Sequence, residues 1–298
     1  MAGPAIVTDS AADLPPDVAL ERGIAVVPLL TNFGAESYRV GVDLSADEFW
    51  AKLTAPGAPF PTTAAAAPGV FEETYETRFT GGADSVVAIH VASTLSATMK
   101  SAQIARDALP EREIIIVDSW SASGGLGLLA LLAADLRDQG LSGPAIAQAL
   151  AGRIGDLRLY VVVETLDYLR RGGRISGAQA ALGTLLSVKP IITIGEGKVE
   201  QVDRVRTRGK ARQRLLDLLT TDPVERVFIL HGEAPDVRDF AAQLRARLPG
   251  AVPDERVVTS LIGASVGAHL GPGCVGAAIL LRGSQDATIA NSEVPNIQ

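Results

Sequence analysis

The chain has 298 residues and a formal net charge of -7, with 27 lysines and arginines against 34 aspartates and glutamates. An acidic chain lacks the basic surface that neutralises nucleic-acid phosphates, so general nucleic-acid binding is excluded. Although 47% of the residues are hydrophobic, no apolar run approaches the roughly 18 residues of a membrane span, and we expect no integral membrane insertion. A single cysteine, Cys274, excludes internal disulfides.

Length and composition also predict the domain organisation. Chains of this size usually exceed one compact core, so we expect an N-terminal α/β domain at 1–155, a C-terminal α/β domain at 156–283 and a polar tail at 284–298. Aromatic residues supply only 4% of the chain, which predicts aliphatic slots suited to an alkyl chain, although genome bias is the preferred explanation for the many alanines. The first residues lack the pattern of a secretory leader, which predicts a cytoplasmic protein.

The first half of the chain alternates apolar runs with helical patterns. The spacing predicts the strands 5–8, 24–30, 86–91 and 114–117, and the helices 44–53, 70–79, 99–109, 126–137 and 145–152. Strands that alternate with helices form a mostly parallel sheet with helices on its faces. Because ligands of such sheets bind beyond the carboxyl ends of the strands, residues that directly follow these strands are candidates for a site.

The second half predicts another α/β unit. Its strands are expected at 159–163, 189–194, 227–230 and 257–261, and its helices at 212–219 and 237–248. The sequence Glu196-Gly197-Lys198 predicts a hairpin turn between two strands, 191–194 and 199–202. No internal repeat is evident in the sequence.

Four hydroxyl side chains crowd the junction between the predicted strand 86–91 and the next helical pattern. They are Ser93, Thr94, Ser96 and Thr98. A helix start leaves backbone N–H groups unpaired and carries partial positive charge, so hydroxyls added there form a pocket suited to a carboxylate or a phosphate. An ordinary helix cap needs only one such side chain. The cluster therefore favours a small anion site.

Other polar residues near predicted strand ends have structural interpretations. Asp9 and Ser10 follow the first strand, and we expect them to cap the next turn rather than to face the ligand crevice. His90 lies in a predicted strand and His231 follows one, and both are expected to be satisfied structural histidines. Three scattered histidines and one cysteine do not predict a metal site, and no cofactor is predicted.

His269 is the best single functional candidate, because the small residues around it, 267–273, allow close backbone approach and expose the imidazole. Just upstream, Ser265 occupies the centre of a G-x-S-x-G sequence, which is typical of the nucleophile elbow of serine hydrolases. That arrangement needs an acid and then a distant histidine, and no carboxylate separates Ser265 from His269. We therefore interpret the motif as a tight turn.

Nucleotide-binding patterns are weak in this chain. Residues 125–130 mimic the G-x-G-x-x-A fingerprint of dinucleotide sites. The preceding turn, 119–123, is longer and bulkier than a pyrophosphate loop allows, and no strand ending in an acid follows at the right distance. The sequence also contains no G-x-x-x-x-G-K-[ST] motif, so ATP binding through a P-loop is not predicted.

Two arginine-rich segments stand out in this acidic chain. The first spans 169–177, and the second places basic side chains at alternate positions from 204 to 214. Guanidinium groups bind phosphate in bidentate fashion, so Arg174 and Arg206 are predicted to contact a phosphate or an acidic partner surface. For Arg212 and Arg214, on a predicted helix, a solvated basic face is the preferred interpretation.

Several short motifs, in a specific order over residues 5 to 283, together resemble the DegV family of bacterial lipid-binding proteins. They are Val7-Thr8-Asp9-Ser10, Pro61-Thr62-Thr63, residues 93–98, Val117-Asp118-Ser119, Glu164-Thr165-Leu166 through Arg174-Ile175-Ser176-Gly177, Lys189-Pro190, Val205-Arg206-Thr207, and Gly267-Ala268-His269 through Gly273. The resemblance implies a two-domain α/β fold that holds one long-chain fatty acid between the domains. It also implies a fatty acid kinase as partner, since some members are binding subunits whose partner uses ATP to convert the bound carboxylate to an acyl phosphate.

The resemblance further implies roles for individual residues. By position, Thr63 and Ser96 would hydrogen-bond the carboxylate, with Ser93 nearby. His269 would support the head group. The two arginines, Arg174 and Arg206, match positions that engage the kinase or the acyl phosphate in kinase-linked members.

The chain departs from the family pattern beside this head-group site. The usual Thr-Ser-Gln-Pro-Ser loop appears as a threonine followed by four alanines, 63–67, and Ala97 replaces a common glycine.

Two functions are compatible with these residues. The first is a non-enzymatic carrier that presents a fatty acid to a kinase, and the second is a serine esterase or acyl hydrolase that uses Ser96 or Ser265 with His269.

Overall fold

The computed structural model describes residues 3–175 and 188–283, so the predicted tail at 284–298 and the motif residues Ser176 and Gly177 lie outside the described residues. Within these ranges the chain forms an α/β fold with a parallel sheet, a larger mixed sheet and a small antiparallel sheet. In chain order the strands are β1 (Ala5–Asp9), β2 (Ile24–Val27), β3 (Leu30–Phe33), β4 (Glu36–Arg39), β5 (Thr62–Ala64), β6 (Val86–His90), β7 (Ile114–Asp118), β8 (Leu157–Val162), β9 (Lys189–Gly195), β10 (Lys198–Val205), β11 (Val224–His231), β12 (Val257–Leu261) and β13 (Val275–Leu281).

The helices of the described residues cover these sheets and lead into the loops between the strands. In chain order they are α1 (Pro16–Glu21), α2 (Ala46–Thr54), α3 (Pro68–Thr80), α4 (Thr98–Asp107), α5 (Gly124–Asp138), α6 (Gly143–Arg153), α7 (Asp167–Arg171), α8 (Arg208–Leu219), α9 (Val237–Arg247) and α10 (Ala264–Leu270). None of them is long and apolar enough to cross a membrane.

The parallel sheet predicted for the N-terminal half is confirmed. Its strand order is β2-β1-β6-β7, and each described pair is parallel. All residues of β6 are buried, as expected for a central parallel strand that is covered on both faces. Because the strands run in the same direction, the loops that begin at Ser10, Val91 and Ser119 all leave the same edge of the sheet.

The second sheet has the order β10-β9-β8-β13-β11-β12 and is antiparallel except for the pair β11 and β12. The predicted hairpin between β9 and β10 is confirmed. Its turn residues, Glu196 and Gly197, have φ angles of 47° and 71°, and two consecutive positive values are the conformation of a type I′ hairpin turn. The central strand β13 does not appear among the predicted strands.

One predicted strand, 24–30, is in fact two. Its first part, β2, joins the parallel sheet, and the chain then turns at Pro28, which has no N–H to continue a ladder. The N–H of Leu29 donates to the hydroxyl of Ser10 at 2.9 Å instead of to a strand. The chain continues as β3, which pairs with β4 and β5 in the small antiparallel sheet. This sheet positions Thr63 on β5.

The interpretation of the G-x-S-x-G sequence as a tight turn is also corrected, because Ser265 lies on the helix α10, as does His269. The small residues of this segment serve helix packing, since a Cβ at Gly267 would lie 2.6 Å from the ring of Phe49. The neighbouring Trp50 is fully buried, and its indole N–H donates to the carbonyl of Ile262 at 2.8 Å. These contacts join α2 to α10. The domain limits at 155 and 283 stay predictions.

Candidate ligand-binding site

A cavity of about 340 Å³, here called the central cavity, lies between the loops of the parallel sheet and one face of the second sheet. Its walls are mainly aliphatic. The lining residues are Ala11, Leu29, Thr63, Ala64, Ala65, Val91, Leu95, Ser96, Ala97, Ala122, Ser123, Leu159, Val161, Leu169, Arg174, Ile192, Thr193, Ile194, Val199, Ser265, Val266, His269 and Leu270. A volume of this size is typical of small-molecule sites.

The second sheet supplies a flat apolar wall. Leu159 and Val161 are alternate residues of β8 and therefore point to the same face. Ile192 and Ile194 of β9 and Val199 of β10 extend this face across the sheet. Strand alternation thus builds a wall of methyl groups suited to a hydrocarbon rather than to a polar ligand.

The polar end of the central cavity brings together Thr63, Ser96 and His269, which were predicted to bind the ligand, and Arg174, which was predicted to contact a phosphate or a partner. The Oγ1 atom of Thr63 lies 2.9 Å from Nε2 of His269. The Arg174 guanidinium donates to the carbonyl of Leu95 at 3.2 Å, next to Ser96. The four side chains come from β5, the loop before α4, the segment after α7, and α10, so the folded chain assembles this group from distant positions.

The imidazole of His269 is neutral at pH 7, because burial and the nearby Arg174 cation lower its pKa to about 4. Its buried Nδ1 atom has no hydrogen-bond partner among the described residues. A proton on Nδ1 would therefore be a buried N–H without an acceptor. The favoured tautomer carries its proton on Nε2 and donates it to Thr63. The hydroxyl proton of Thr63 is then free to be donated to a ligand.

Gly172 explains why Nδ1 of His269 has no partner, and sequence analysis did not single out this glycine. A Cβ atom added at Gly172 would collide with Nδ1, so the backbone lies directly against the ring. The carbonyl of Gly172 also accepts a hydrogen bond from Arg174 at 2.7 Å. One small residue thus positions both the imidazole and the guanidinium.

The four hydroxyls of the predicted anion site separate in the folded chain. Ser96 lines the central cavity, and its Oγ accepts a hydrogen bond from the N–H of Thr98 at 3.2 Å, so it also caps the start of α4. The hydroxyl of Thr94 donates to the carbonyl of Gly197 at the hairpin tip. Ser93 is exposed and does not line the central cavity.

Ser93 instead lines an open depression, here called the mouth, that adjoins the polar end of the central cavity. Ser96 and Arg174 line both spaces. Lys100 and Lys198 also line the mouth, so it is a cationic surface that adjoins the polar end.

Arg206 is exposed at the end of β10 and lines neither the central cavity nor the mouth. The preferred interpretation of Arg212 and Arg214 as a solvated basic face is wrong for Arg212, which is half-buried and forms an ion pair with Asp236. Arg214 lies 2.9 Å from the carboxylate of Asp203.

Ser265, the serine of the G-x-S-x-G sequence, and His269 contact different residues. Ser265 Oγ lies 2.8 Å from Ser10 Oγ, whereas the imidazole contacts Thr63. Ser96 likewise contacts Thr98, with 2.8 Å between the two hydroxyl oxygens. Within the described ranges, neither candidate nucleophile is hydrogen-bonded to His269.

Asp13 is a buried carboxyl group near the central cavity, and sequence analysis did not single it out. It accepts hydrogen bonds from the Ser123 hydroxyl at 2.6 Å and from the N–H of Gly263 at 2.9 Å. Burial raises its pKa to about 7, and the nearby Asp9 carboxylate adds to this shift. Asp13 therefore joins the start of α5 to the start of α10 beside the cavity.

The structural interpretation is confirmed for Asp9 and His90. Asp9 accepts from the N–H of Ala11 at 2.9 Å, which caps the turn after β1, and its other oxygen lies 3.1 Å from Nδ1 of His90. The expectation for His231 is wrong, because its buried Nδ1 has no hydrogen-bond partner among the described residues. Ser10 does not cap the turn, since it bonds Leu29 and Ser265 as described above.

The dinucleotide-like glycines lie within the helix α5 rather than in a phosphate loop. A Cβ at Gly127 would lie 2.7 Å from the ring of Phe228 on the second sheet. The glycines therefore allow a helix to pack closely between the two sheets.

Comparisons with known proteins connect this architecture to a family. A family model described as "Uncharacterised protein, DegV family" matches residues 4–282. A DegV domain-containing protein of Caldanaerobacter subterraneus is 36% identical over 276 residues, which are 91% of this chain and 96% of the relative.

Solved structures show the same fold. A fatty-acid-binding DegV family protein from Thermus thermophilus is 35% identical, with a TM-score of 0.83 over 95% of this chain and 100% of its own. DegV of Bacillus subtilis, a fatty acid binding protein, is 30% identical, with a TM-score of 0.83 and the same coverage of both chains. The family model, the relative and both structures cover nearly the whole chain, and the protein therefore belongs to the DegV family.

Proposed function

We propose that this protein binds a long-chain fatty acid in the central cavity, with the hydrocarbon against the second sheet and the carboxylate at the polar end. The carrying observation is an aliphatic cavity in which Thr63, Ser96, Arg174 and His269 meet. The fatty-acid-binding DegV proteins of Thermus thermophilus and Bacillus subtilis support the same ligand class.

The aliphatic walls supply the larger part of the binding energy. Burial of one methylene group contributes about 0.8 kcal/mol, so roughly 14 methylenes contribute on the order of 11 kcal/mol before the costs of association and ordering. Val161 and Ile192 are almost fully buried even without a ligand, so this wall is formed in advance. A preformed wall reduces the ordering cost of binding.

The polar end compensates the desolvation of the carboxylate. A buried carboxylate is costly unless it is paired or hydrogen-bonded. In the proposed complex the hydroxyl protons of Thr63 and Ser96 are donated to the carboxylate oxygens. Arg174 supplies a positive charge beside them, and the neutral His269 holds the Thr63 hydroxyl in its donating orientation.

The mouth suggests how the bound acid is used. We propose that the protein has no catalytic role of its own and presents the carboxylate to a fatty acid kinase in the cytoplasm. The kinase transfers the γ-phosphoryl group of ATP to a carboxylate oxygen, which yields the acyl phosphate and ADP. Lys100, Lys198 and Arg174 around the mouth suit the added negative charge, and the exposed Arg206 is proposed to contact the kinase.

Native mass spectrometry of protein purified from cells tests the ligand. We expect a co-purified fatty acid of defined mass that is released on denaturation. An empty protein that hydrolyses activated esters, with loss of activity in Ser96→Ala or Ser265→Ala, would contradict the carrier and support the esterase.

The kinase step has its own test. Arg174→Ala and Arg206→Ala are expected to lower the rate of acyl phosphate formation, measured with the cognate kinase and ATP, more than they lower fatty acid affinity. Arg206→Ala should leave the affinity unchanged, because Arg206 does not line the central cavity. Equal losses in the two assays would contradict the proposed role of the arginines.

A further inference from the structure

A second cavity of about 390 Å³, here called the side cavity, adjoins the central cavity away from the polar end. Three residues, Leu159, Thr193 and Ile194, line both spaces. The side cavity is lined by Ser119, Trp120, Ser121, Ile154, Gly155, Leu157, Arg158, Leu159, Thr193, Ile194, Gly195 and Glu196. It shares no residue with the group formed by Thr63, Ser96, Arg174 and His269.

The two cavities meet at residues of two adjacent strands. Leu159 lies on β8, and Thr193 and Ile194 lie on β9. Leu159 is buried, whereas Thr193 and Ile194 are half-buried. Displacement of side chains at this boundary, without any change in the strands, would connect the cavities.

The loop that covers the side cavity is strained. Trp120 has a φ angle of 50°, in the left-handed region that a bulky side chain rarely adopts, and it is 49% exposed. Ser123, in the same loop, has a φ angle of 51° and lines the central cavity. Such strain persists where the surrounding structure holds it, often beside ligands. The loop that covers the side cavity thus also borders the central one.

The chemistry of the side cavity suits a hydrocarbon. Trp120, Ile154 and Leu157 present apolar surface, and the charged residues Arg158 and Glu196 are exposed. The buried hydroxyl of Ser119 already donates to the carbonyl of Ser121 at 3.0 Å and is not available to a carboxylate, whereas methylene groups would be removed from water. The side cavity therefore complements the end of a ligand whose carboxylate is held elsewhere.

We propose that the side cavity receives the methyl end of acyl chains that are too long for the central cavity, so that the protein accepts long and very long saturated chains. This inference rests on the proposed function. Leu159 and Ile194 act as the movable boundary, and each additional buried methylene strengthens binding about fourfold. Affinity then continues to rise with chain length after the central cavity is filled.

A ladder of myristic, palmitic, stearic, arachidic and behenic acids tests this proposal by competition in native mass spectrometry. Gly155→Phe places a ring at the side cavity, and Gly152→Phe is the matched control on α6, because a Cβ at either glycine meets no atom within 4 Å. We expect the affinity to stop rising at a chain at least two carbons shorter in Gly155→Phe than in the wild type or the control.

Trp120→Ala is expected to enlarge the side cavity rather than to fill it, since it removes the largest side chain that lines this cavity. We expect it to alter the relative affinity for behenic acid while palmitic acid binds as before. Identical chain-length profiles in the wild type, Gly155→Phe and Trp120→Ala would overturn the proposal. Palmitic acid would still bind in that case, whereas failure of every acid to bind the wild type would instead overturn the proposed function.

Discussion

The two walls of the central cavity differ in how they are built. The first consists of loops and helix starts, where Ser96 caps α4 and Ser123 donates to Asp13. The second is a sheet face on which Val161, Ile192 and Val199 present methyl groups. Hydrogen bonds are directional and depend on fixed loop geometry, whereas hydrophobic burial depends mainly on area. In the proposed complex, the loop wall therefore selects the head group and the sheet wall retains the hydrocarbon chain.

The largest expected effect comes from a charge on the sheet wall. Ile194→Asp is expected to weaken fatty acid binding on the order of 100-fold, because an unpaired carboxylate beside the hydrocarbon loses its solvation. Isothermal titration with palmitate measures the affinity. Val202→Asp is the matched control, since Val202 is exposed on β10 and does not line the cavity. Equal affinities in the two variants would show that the sheet face does not contact the chain.

The next largest effect tests whether Gly172 positions the imidazole of His269. Gly172→Ala is expected to displace the imidazole of His269, break its contact with Thr63 and weaken binding roughly 10- to 30-fold through the loss of buried hydrogen bonds. The NMR signals of His269 should shift in the ligand-free variant. Gly152→Ala has open space around the new methyl group and is expected to bind normally. Unchanged His269 signals in Gly172→Ala would refute this positioning role.

A smaller effect distinguishes two serines of the same loop. Ser96→Ala is expected to weaken binding about 5- to 10-fold, because one lost hydrogen bond typically costs about 1 kcal/mol. Ser93→Ala should leave the affinity unchanged, because Ser93 is exposed outside the central cavity. Circular dichroism checks that both variants are folded. Equal losses would mean that the carboxylate lies at the mouth rather than at the polar end.

The smallest effect is a pH dependence of the ligand-free protein. The pKa of His269 is about 4 in the folded chain, below its ordinary value of 6.5, so the unfolded chain binds more protons between these values. The contribution of His269 to stability is therefore complete above about pH 6.5 and is lost as the pH falls toward 4. Urea unfolding across this range measures the slope.

His269→Gln is the control for this slope. The amide N–H can still donate to Thr63, but it does not titrate, so the free energy of unfolding should fall less steeply with acid than in the wild type. Asp13 titrates with the opposite sign, since its raised pKa of about 7 favours the folded state at low pH and this benefit is lost as the pH rises through 7. Asp13 is present in both proteins, so their difference reports His269. Parallel slopes would contradict the burial of a neutral imidazole.

The parallel sheet could be predicted because its signals are local. Its strands are continuous apolar runs separated by helical patterns, and only the turn at Pro28 altered one of them. The second sheet was harder, since a short apolar run such as Val275–Leu281 fits a strand or a buried helix equally well. Its antiparallel order depends on pairing between distant segments, which no local pattern specifies.

The polar end was predicted only as far as residue types allow. Residue patterns selected Ser96 and His269, and the family resemblance added Thr63. The structure brings all three to one cavity, although their roles in binding stay predictions. Gly172 and Asp13 were missed because their importance depends on neighbours distant in the sequence, an imidazole in one case and the N–H of α10 in the other. Neither residue lies in a motif that identifies such a contact.

The position of β13 has a consequence for synthesis. This strand pairs with β8 on one side and with β11 on the other, yet its residues are made after those of every other described strand. Until Val275–Leu281 leaves the ribosome, the antiparallel strands β8, β9 and β10 lack the neighbour that β13 supplies to β8. A growing chain therefore cannot complete the second sheet, and the central cavity is expected to form only once Val275–Leu281 has left the ribosome.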